Sequence, residues 1–318
     1  MPTRFHRRNF LTAAVGTVAG LTLGGAVPAL RAEHSLRVVD AHTHFYDPTR
    51  PQGVPWPERD DKLLYRPVWP MDYRRLPVPV AVTGTIVVEA SPWVEDNQWL
   101  LDLAAREPLI VGVVGNLPVG SKTFAGHLKR FSANKLFRGI RLRDRKLEGT
   151  LQEPAFVSDL KLLADHDLSL DLVGGGEILT YAEQLAHEVP GLRVIIDHLA
   201  GVSLDGKSAP ADWLQRMRGL ARHPHIYCKL SGLVEGTGRS DGTAPGQASF
   251  YRPILNAMRE TFGAERLIYA SNWPVSERFA SLATVQSIVA EYFQGFGMQE
   301  ERKVFSESAT RAYRCVRR

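Results

Sequence analysis

Eight short apolar runs recur along the chain, most of them separated by stretches of helical period, and this alternation limits the fold more than any other feature. The runs occupy residues 36–42 (LRVVDAH), 84–91 (GTIVVEAS), 109–117 (LIVGVVGNL), 137–143 (FRGIRLR), 168–174 (LSLDLVG), 192–200 (LRVIIDHLA), 225–232 (HIYCKLSG) and 266–273 (RLIYASNW). Helical patterns such as VEDNQWLLDLAARE, PAFVSDLKLLADHD and YRPILNAMRETFG fall between them. Strands this apolar are buried on both faces, which is the property of a parallel sheet covered by helices. Eight such units predict a closed (β/α)8 TIM barrel rather than an open doubly wound sheet. No GxGxxG follows the first strand, which argues against a dinucleotide fold. One domain spanning residues 33–318 is therefore expected.

The head of the chain reads differently. Residues 1–32 carry four arginines and no acidic residue, an apolar, small-residue stretch from Leu11 to Ala29, and small residues between Ala29 and Ala32 where a peptidase could cut. Arg7 and Arg8, followed by Asn9, Phe10 and Leu11, resemble a bacterial twin-arginine signal. The expectation is passage through the twin-arginine export machinery to a periplasmic or extracellular destination. An uncleaved anchor is the other reading, disfavoured by the weak, glycine-rich hydrophobicity. The basic balance of the whole chain, net +5, comes largely from this segment. Taking those four from the 39 basic residues leaves 35 against 34 acidic ones, so nucleic acid is not an expected partner. Cys228 and Cys315 form no metal or redox motif, and Cys228 lies in an apolar run, so no disulfide is expected.

In a parallel barrel, chemistry sits where the strands end at their C-termini. The first run ends in His42 and His44, which strand alternation points the same way, close enough for both rings to reach one ion. Such a pair alone is weak. The sixth run ends in IIDHLA, where alternation puts His198 on one face with Val194 and Ile196, and Asp197 on the other. Arg141 and Arg143 share a face of the fourth run; Arg141 is the candidate for binding a substrate carboxylate, unless Asp144 or Glu148 pairs with it. Lys229 is a lone cation in an apolar run, either a site residue or a rim residue with its head in water. Residues 46–79 hold eight prolines and no helical period, and their Trp56, Tyr65, Trp69 and Tyr73 either close over a ring-shaped substrate or pack beneath the loop. The glycine-rich 234–250 segment is expected on the same side.

Four motifs in this order, VVDAHTHFYDP, RVIIDHLAG, IYCKLSG and RLIYASNWPV, resemble the amidohydrolase superfamily. The likeness is to the amidohydrolase-2 branch of metal-dependent TIM-barrel hydrolases, which includes 2-pyrone-4,6-dicarboxylate lactonase and sugar lactonases, and it spans about residues 36–315. It implies that His42, His44 and His198 stand where many members hold a divalent metal, zinc or manganese. In the pyrone lactonase the same positions are understood to work without metal. It also implies that Asn272 stands where the superfamily usually has the aspartate that takes the proton from water. An amide cannot do that at neutral pH. Three accounts follow: water activated by a bound ion and oriented by Asn272, a carboxylate elsewhere such as Glu89 or Asp197 as base, or a barrel that has lost hydrolysis. The expected function is an exported hydrolase that opens a lactone of a carboxylated or sugar-derived small molecule, with His42, His44, His198 and Asn272 at the reacting centre and Lys229 helping to stabilise the oxyanion. A non-catalytic periplasmic binding protein, or a metal-dependent amidase or decarboxylase, are the alternatives. Oligomeric state is not set by these features.

Overall fold

The structure is a computed structural model that describes residues 36–143 and 147–318; the signal expected at 1–32 lies outside the described residues. Eight parallel strands pair strictly in chain order, β1 (Val38–Thr43), β2 (Val82–Val88), β3 (Ile110–Gly115), β4 (Phe137–Arg143), β5 (Ser169–Val173), β6 (Arg193–Ile196), β7 (Ile226–Leu230) and β8 (Leu267–Tyr269). A parallel bridge between Thr43 and Trp273 and a hydrogen bond from His44 N–H to the Trp273 carbonyl, 2.9 Å, draw the last strand's end back to the first. The expected (β/α)8 barrel is thus present. Every residue of β1, β3 and β7 is buried, as strands covered on both faces must be.

Helices α1 (Pro70–Arg75), α2 (Asp96–Arg106), α3 (Phe124–Ser132), α4 (Pro154–Asp165), α5 (Glu177–Glu188), α6 (Ala211–Leu220), α7 (Ala248–Phe262) and α8 (Leu282–Gln294) follow the strands, and α9 (Met298–Arg302) and α10 (Ser308–Tyr313) close the described chain. In α7 the buried residues are Tyr251, Ile254, Leu255, Met258 and Phe262, the spacing of one apolar stripe laid on the sheet. Ala309, Ala312 and Tyr313 of α10 share an apolar cluster with Val111, Ile195, Tyr227 and Ile268, and Arg193 Nε at the start of β6 donates to the Ala312 carbonyl, 2.8 Å. The last helix therefore plugs the barrel from below.

The proline-rich connection is ordered. Tyr46 and Val68 exchange backbone hydrogen bonds across its base, and the Tyr46 hydroxyl donates to the Leu64 carbonyl, 2.8 Å. Arg66 bridges to Glu277 and Arg278 to Asp61, tying the loop to the segment after β8. It contains one helix that its periodicity does not show. α1 is only six residues long and starts because Pro70 presets the first turn and the Asp72 carboxylate accepts the Trp69 N–H, 2.9 Å. Both cysteines are free.

Candidate active site

Strand β1 is irregular: its register against β2 shifts between Asp40 and Thr43. Plain alternation would keep Asp40 and His42 on one face. Instead Asp40 accepts hydrogen bonds from Tyr73 Oη (2.7 Å), Ser271 N–H (2.8 Å) and His42 N–H (3.2 Å), while the His42 ring turns to Lys229. His42 and His44 do point the same way, their Nε2 atoms 3.2 Å apart. Tyr73 is thus core beneath the loop, whereas Trp56 lies edge-on to His44, with ring centroids 5.8 Å apart.

Alternation fails again after β6, to chemical effect. Asp197 was expected opposite His198. The strand stops at Ile196, and His198, Leu199 and Ala200 all take left-handed backbone near φ 52°. This turn brings both side chains to the same place: donor atoms of His42, Asp197 and His198 lie within 4.8 Å of one another. Consecutive left-handed residues without glycine are strained, and such strain concentrates at functional sites. Asn272 is also left-handed, φ 58°, a conformation asparagine tolerates better than most residues.

Lys229 is a site residue and not a rim residue. It is fully buried, with Nζ 2.6 Å from Asp171, 2.8 Å from Asp197 and 3.1 Å from His42 Nδ1. The Tyr313 hydroxyl reaches Asp171 from the floor at 2.9 Å. Burial alone would raise the Asp197 carboxyl, but Lys229 and then His42 hold it well below the usual range, so it is ionised. The Lys229 ammonium is pulled down by burial and raised by its two carboxylates, with a net rise.

The rings are neutral. Burial, ahead of the nearby cations, pushes His42 and His44 well below the ordinary histidine value and His198 down to about 4. A protonatable base with a depressed folded-state value stabilises the fold above its unfolded value of about 6.5, and that stability is lost as pH falls through the folded value. Glu235 and Asp171 are shifted upward and act in the opposite sense, so the effect is best isolated by difference. In metal-depleted protein, lowering pH from 7 to 4 should cost the native chain about 3 kcal/mol more than it costs His198→Gln. Urea unfolding at both pH values measures this; equal pH dependence in the two proteins would refute a neutral buried His198.

The proton positions follow from the partners. His44 Nδ1 faces the Val88 carbonyl at 2.9 Å and must donate, leaving Nε2 with a lone pair. Lys229 must donate to His42 Nδ1, which leaves the proton on Nε2 pointing at His44. A cation would replace that proton. Two ligand atoms each about 2 Å from one tetrahedral ion stand about 3.3 Å apart, close to the separation of the two Nε2 atoms. Asp197 Oδ1 lies 3.7 Å from His42 Nδ1 and 2.8 Å from Lys229 Nζ. His42, Asp197 and His198 together offer ligand atoms that fit a divalent ion, and His44 Nε2 stands 3.2 Å from His42 Nε2 beside them. His198 Nδ1 is fixed by Ser231 Oγ at 2.8 Å, which leaves its Nε2 for the site.

Arg141 is placed otherwise than as a free anion clamp. Its Nε donates to Glu89 Oε1 at 2.9 Å and an Nη to the Glu89 carbonyl at 2.5 Å, and Arg143 lies 3.5 Å from the same carboxylate. The partner is Glu89 just after β2, two strands away, not Glu148; Asp144 lies outside the described residues. Glu89 is thus occupied by Arg141, with Arg143 close by. Asn272 donates from Nδ2 to Glu235 Oε1, 2.9 Å, and Glu235 went unnoticed in the sequence. Its only signal there was an acid directly after an apolar LV pair. Asp171 had a clearer one, as the single charge in an apolar strand, complementary to Lys229.

A parallel barrel with histidines, an aspartate and a buried lysine converging at its mouth is a hydrolase scaffold, and three of those residues fit a divalent ion. The chain matches the Amidohydrolase family over residues 39–315 and belongs to it. It is similar to an L-fucono-1,5-lactonase of Burkholderia ambifaria, 32% identical over 240 residues that cover 75% of this chain and 80% of the relative. An L-rhamnono-gamma-lactonase of Scheffersomyces stipitis is 29% identical, with 62% of this chain and 66% of the relative covered. Among solved structures, a zinc-bound amidohydrolase from Burkholderia multivorans superposes with a TM-score of 0.74 at 26% identity, covering 88% of this chain and 99% of that one. The protein is a hydrolase of the lactonase-like kind.

Proposed function

We propose that the protein hydrolyses the lactone of a sugar acid. The observation that carries this reading is the convergence of three neutral imidazoles and Asp197 at the barrel mouth, in a chain whose relatives are named as sugar lactonases. Arg141 and Lys229, the two cations buried in the site, are already paired with carboxylates. An uncharged polyol ring therefore suits the mouth better than a carboxylated substrate. Trp56, set against His44, offers the ring a flat wall.

His42, His44, His198 and Asp197 would hold a divalent ion, which supplies Lewis-acid polarisation of a carbonyl and acidification of water. The residues themselves orient. Val88 and Ser231 fix the rings of His44 and His198, and Lys229 keeps Asp197 ionised beside His42. Asn272 holds a neighbouring carboxylate in place. The twin-arginine pattern at Arg7 and Arg8 supports export of the finished hydrolase, to a periplasmic or extracellular site.

The test is turnover of L-fucono-1,5-lactone and L-rhamnono-gamma-lactone, read as proton release above the spontaneous rate. Activity is expected, with kcat/KM lowered about 10²–10³-fold in His198→Ala. A protein that opens no sugar lactone, or a His198→Ala variant with full activity, would sink the proposal.

A further inference from the structure

Three buried carboxylates of this barrel each have a cation or several donors beside them. Glu89 has Arg141, Asp197 has Lys229, and Asp40 accepts three hydrogen bonds. Glu235 has a single neutral donor, Asn272 Nδ2, and its buried Oε2 has no partner among the described residues. Leaving such an oxygen unsatisfied costs stability, so a purely structural role does not account for it.

Its placement ties it to the site from two sides. Glu235 lies in a turn after β7 that is closed by Gly236 N–H donating to the Gly232 carbonyl, 2.8 Å. Gly232 itself abuts His198: a Cβ there would lie 2.7 Å from the His198 Cβ. On the other side Asn272 precedes Trp273, whose carbonyl accepts the His44 N–H.

We propose that Glu235 is the proton-transferring carboxylate of the hydrolysis, held by Asn272, which itself cannot take a proton. This rests on the lactonase reading. Water loses a proton to Glu235 as its oxygen bonds to the lactone carbonyl carbon. The resulting tetrahedral adduct breaks its bond to the ring oxygen, and that oxygen takes the proton back from Glu235. Lactone and water thus give one hydroxy acid, with the carboxylate regenerated. Burial pushes the Glu235 carboxyl up, and the Asn272 hydrogen bond draws it back only in part, to about 7, a value suited to both halves of the cycle. Its ionisable neighbour from α7 is Tyr251, whose phenol is pushed up by burial and then by Glu235 itself, and so stays protonated. Val202 and Leu204 of the loop after β6 approach the turn at Gly236, and neither bears a charge.

Glu235→Gln preserves the shape and an acceptor for Asn272. It is expected to lower kcat about 10²–10⁴-fold with KM little changed, and to abolish the acidic limb of the kcat/KM profile near pH 7. Asn272→Asp sets two carboxylates face to face, so that they share a proton and the limb moves to higher pH. A Glu235→Gln protein with kcat within about three-fold of the unaltered one, or with its acidic limb intact, overturns the proposal. So does an Asn272→Asp profile that does not move, a result that stands even if Glu235→Gln fails to fold. Absence of lactone turnover by the unaltered protein overturns the lactonase reading and this role together, whereas the variant results overturn only the role.

Discussion

Lys229→Met is expected to destabilise the protein by about 3–5 kcal/mol. Methionine matches the length of the side chain but leaves Asp171 and Asp197 buried without their cation, both of them fully shielded from solvent. The loss is not that of one ion pair; it is the cost of two carboxylates that must repel, take up a proton or draw in water. His42 also loses the donor on Nδ1, so its tautomer is released. Urea unfolding at neutral pH measures the effect. Adding Asp171→Leu should recover part of it, since one uncompensated charge is then removed. A single variant within about 1 kcal/mol of the unaltered protein would mean that Lys229 does not hold the interior together.

Replacing His42 and His44 together by alanine should abolish both metal retention and turnover, by about 10³-fold or more. Their Nε2 atoms face each other with one proton between them, an arrangement that favours a divalent ion over two competing hydrogens. Protein purified without chelator or affinity tag is expected to carry a stoichiometric divalent ion, and the double variant none. The two readouts decide different things. Turnover lost with metal absent from both proteins would make the imidazoles direct hydrogen-bonding groups. Metal retained by the double variant would remove them as ligands altogether.

Much of this was legible in the sequence because period and burial are written directly into it. The eight runs mark the eight strands, with ends displaced by only a few residues, since strands buried on both faces leave little room for polar residues. His42 and His44 were legible for the same reason, as polar residues ending an apolar strand. Asp197 was not, because alternation assumes an extended chain and the turn at His198 is left-handed. Arg141 was legible on its strand, but its pairing with Glu89 was not, because Glu89 lies 52 residues away at the end of another strand. The single helical turn of α1 rests on one proline and one capping carboxylate, too little for a periodic signal. Glu235 depends on a contact between two loops, which no local pattern reports.

Tyr313 supports Asp171, Asp171 supports Lys229, and Lys229 sets His42, so one string of polar contacts runs from the barrel floor to its mouth. It joins the last described helix to the first strand, across nearly the whole length of the described chain. Contacts so distant in sequence carry a large loop-closure cost, which slows the step that makes them. An incomplete barrel could thus bury most of its apolar surface while its imidazoles remained unset. Competence for chemistry is in this sense a seal on finished folding, applied from beneath by the last described helix.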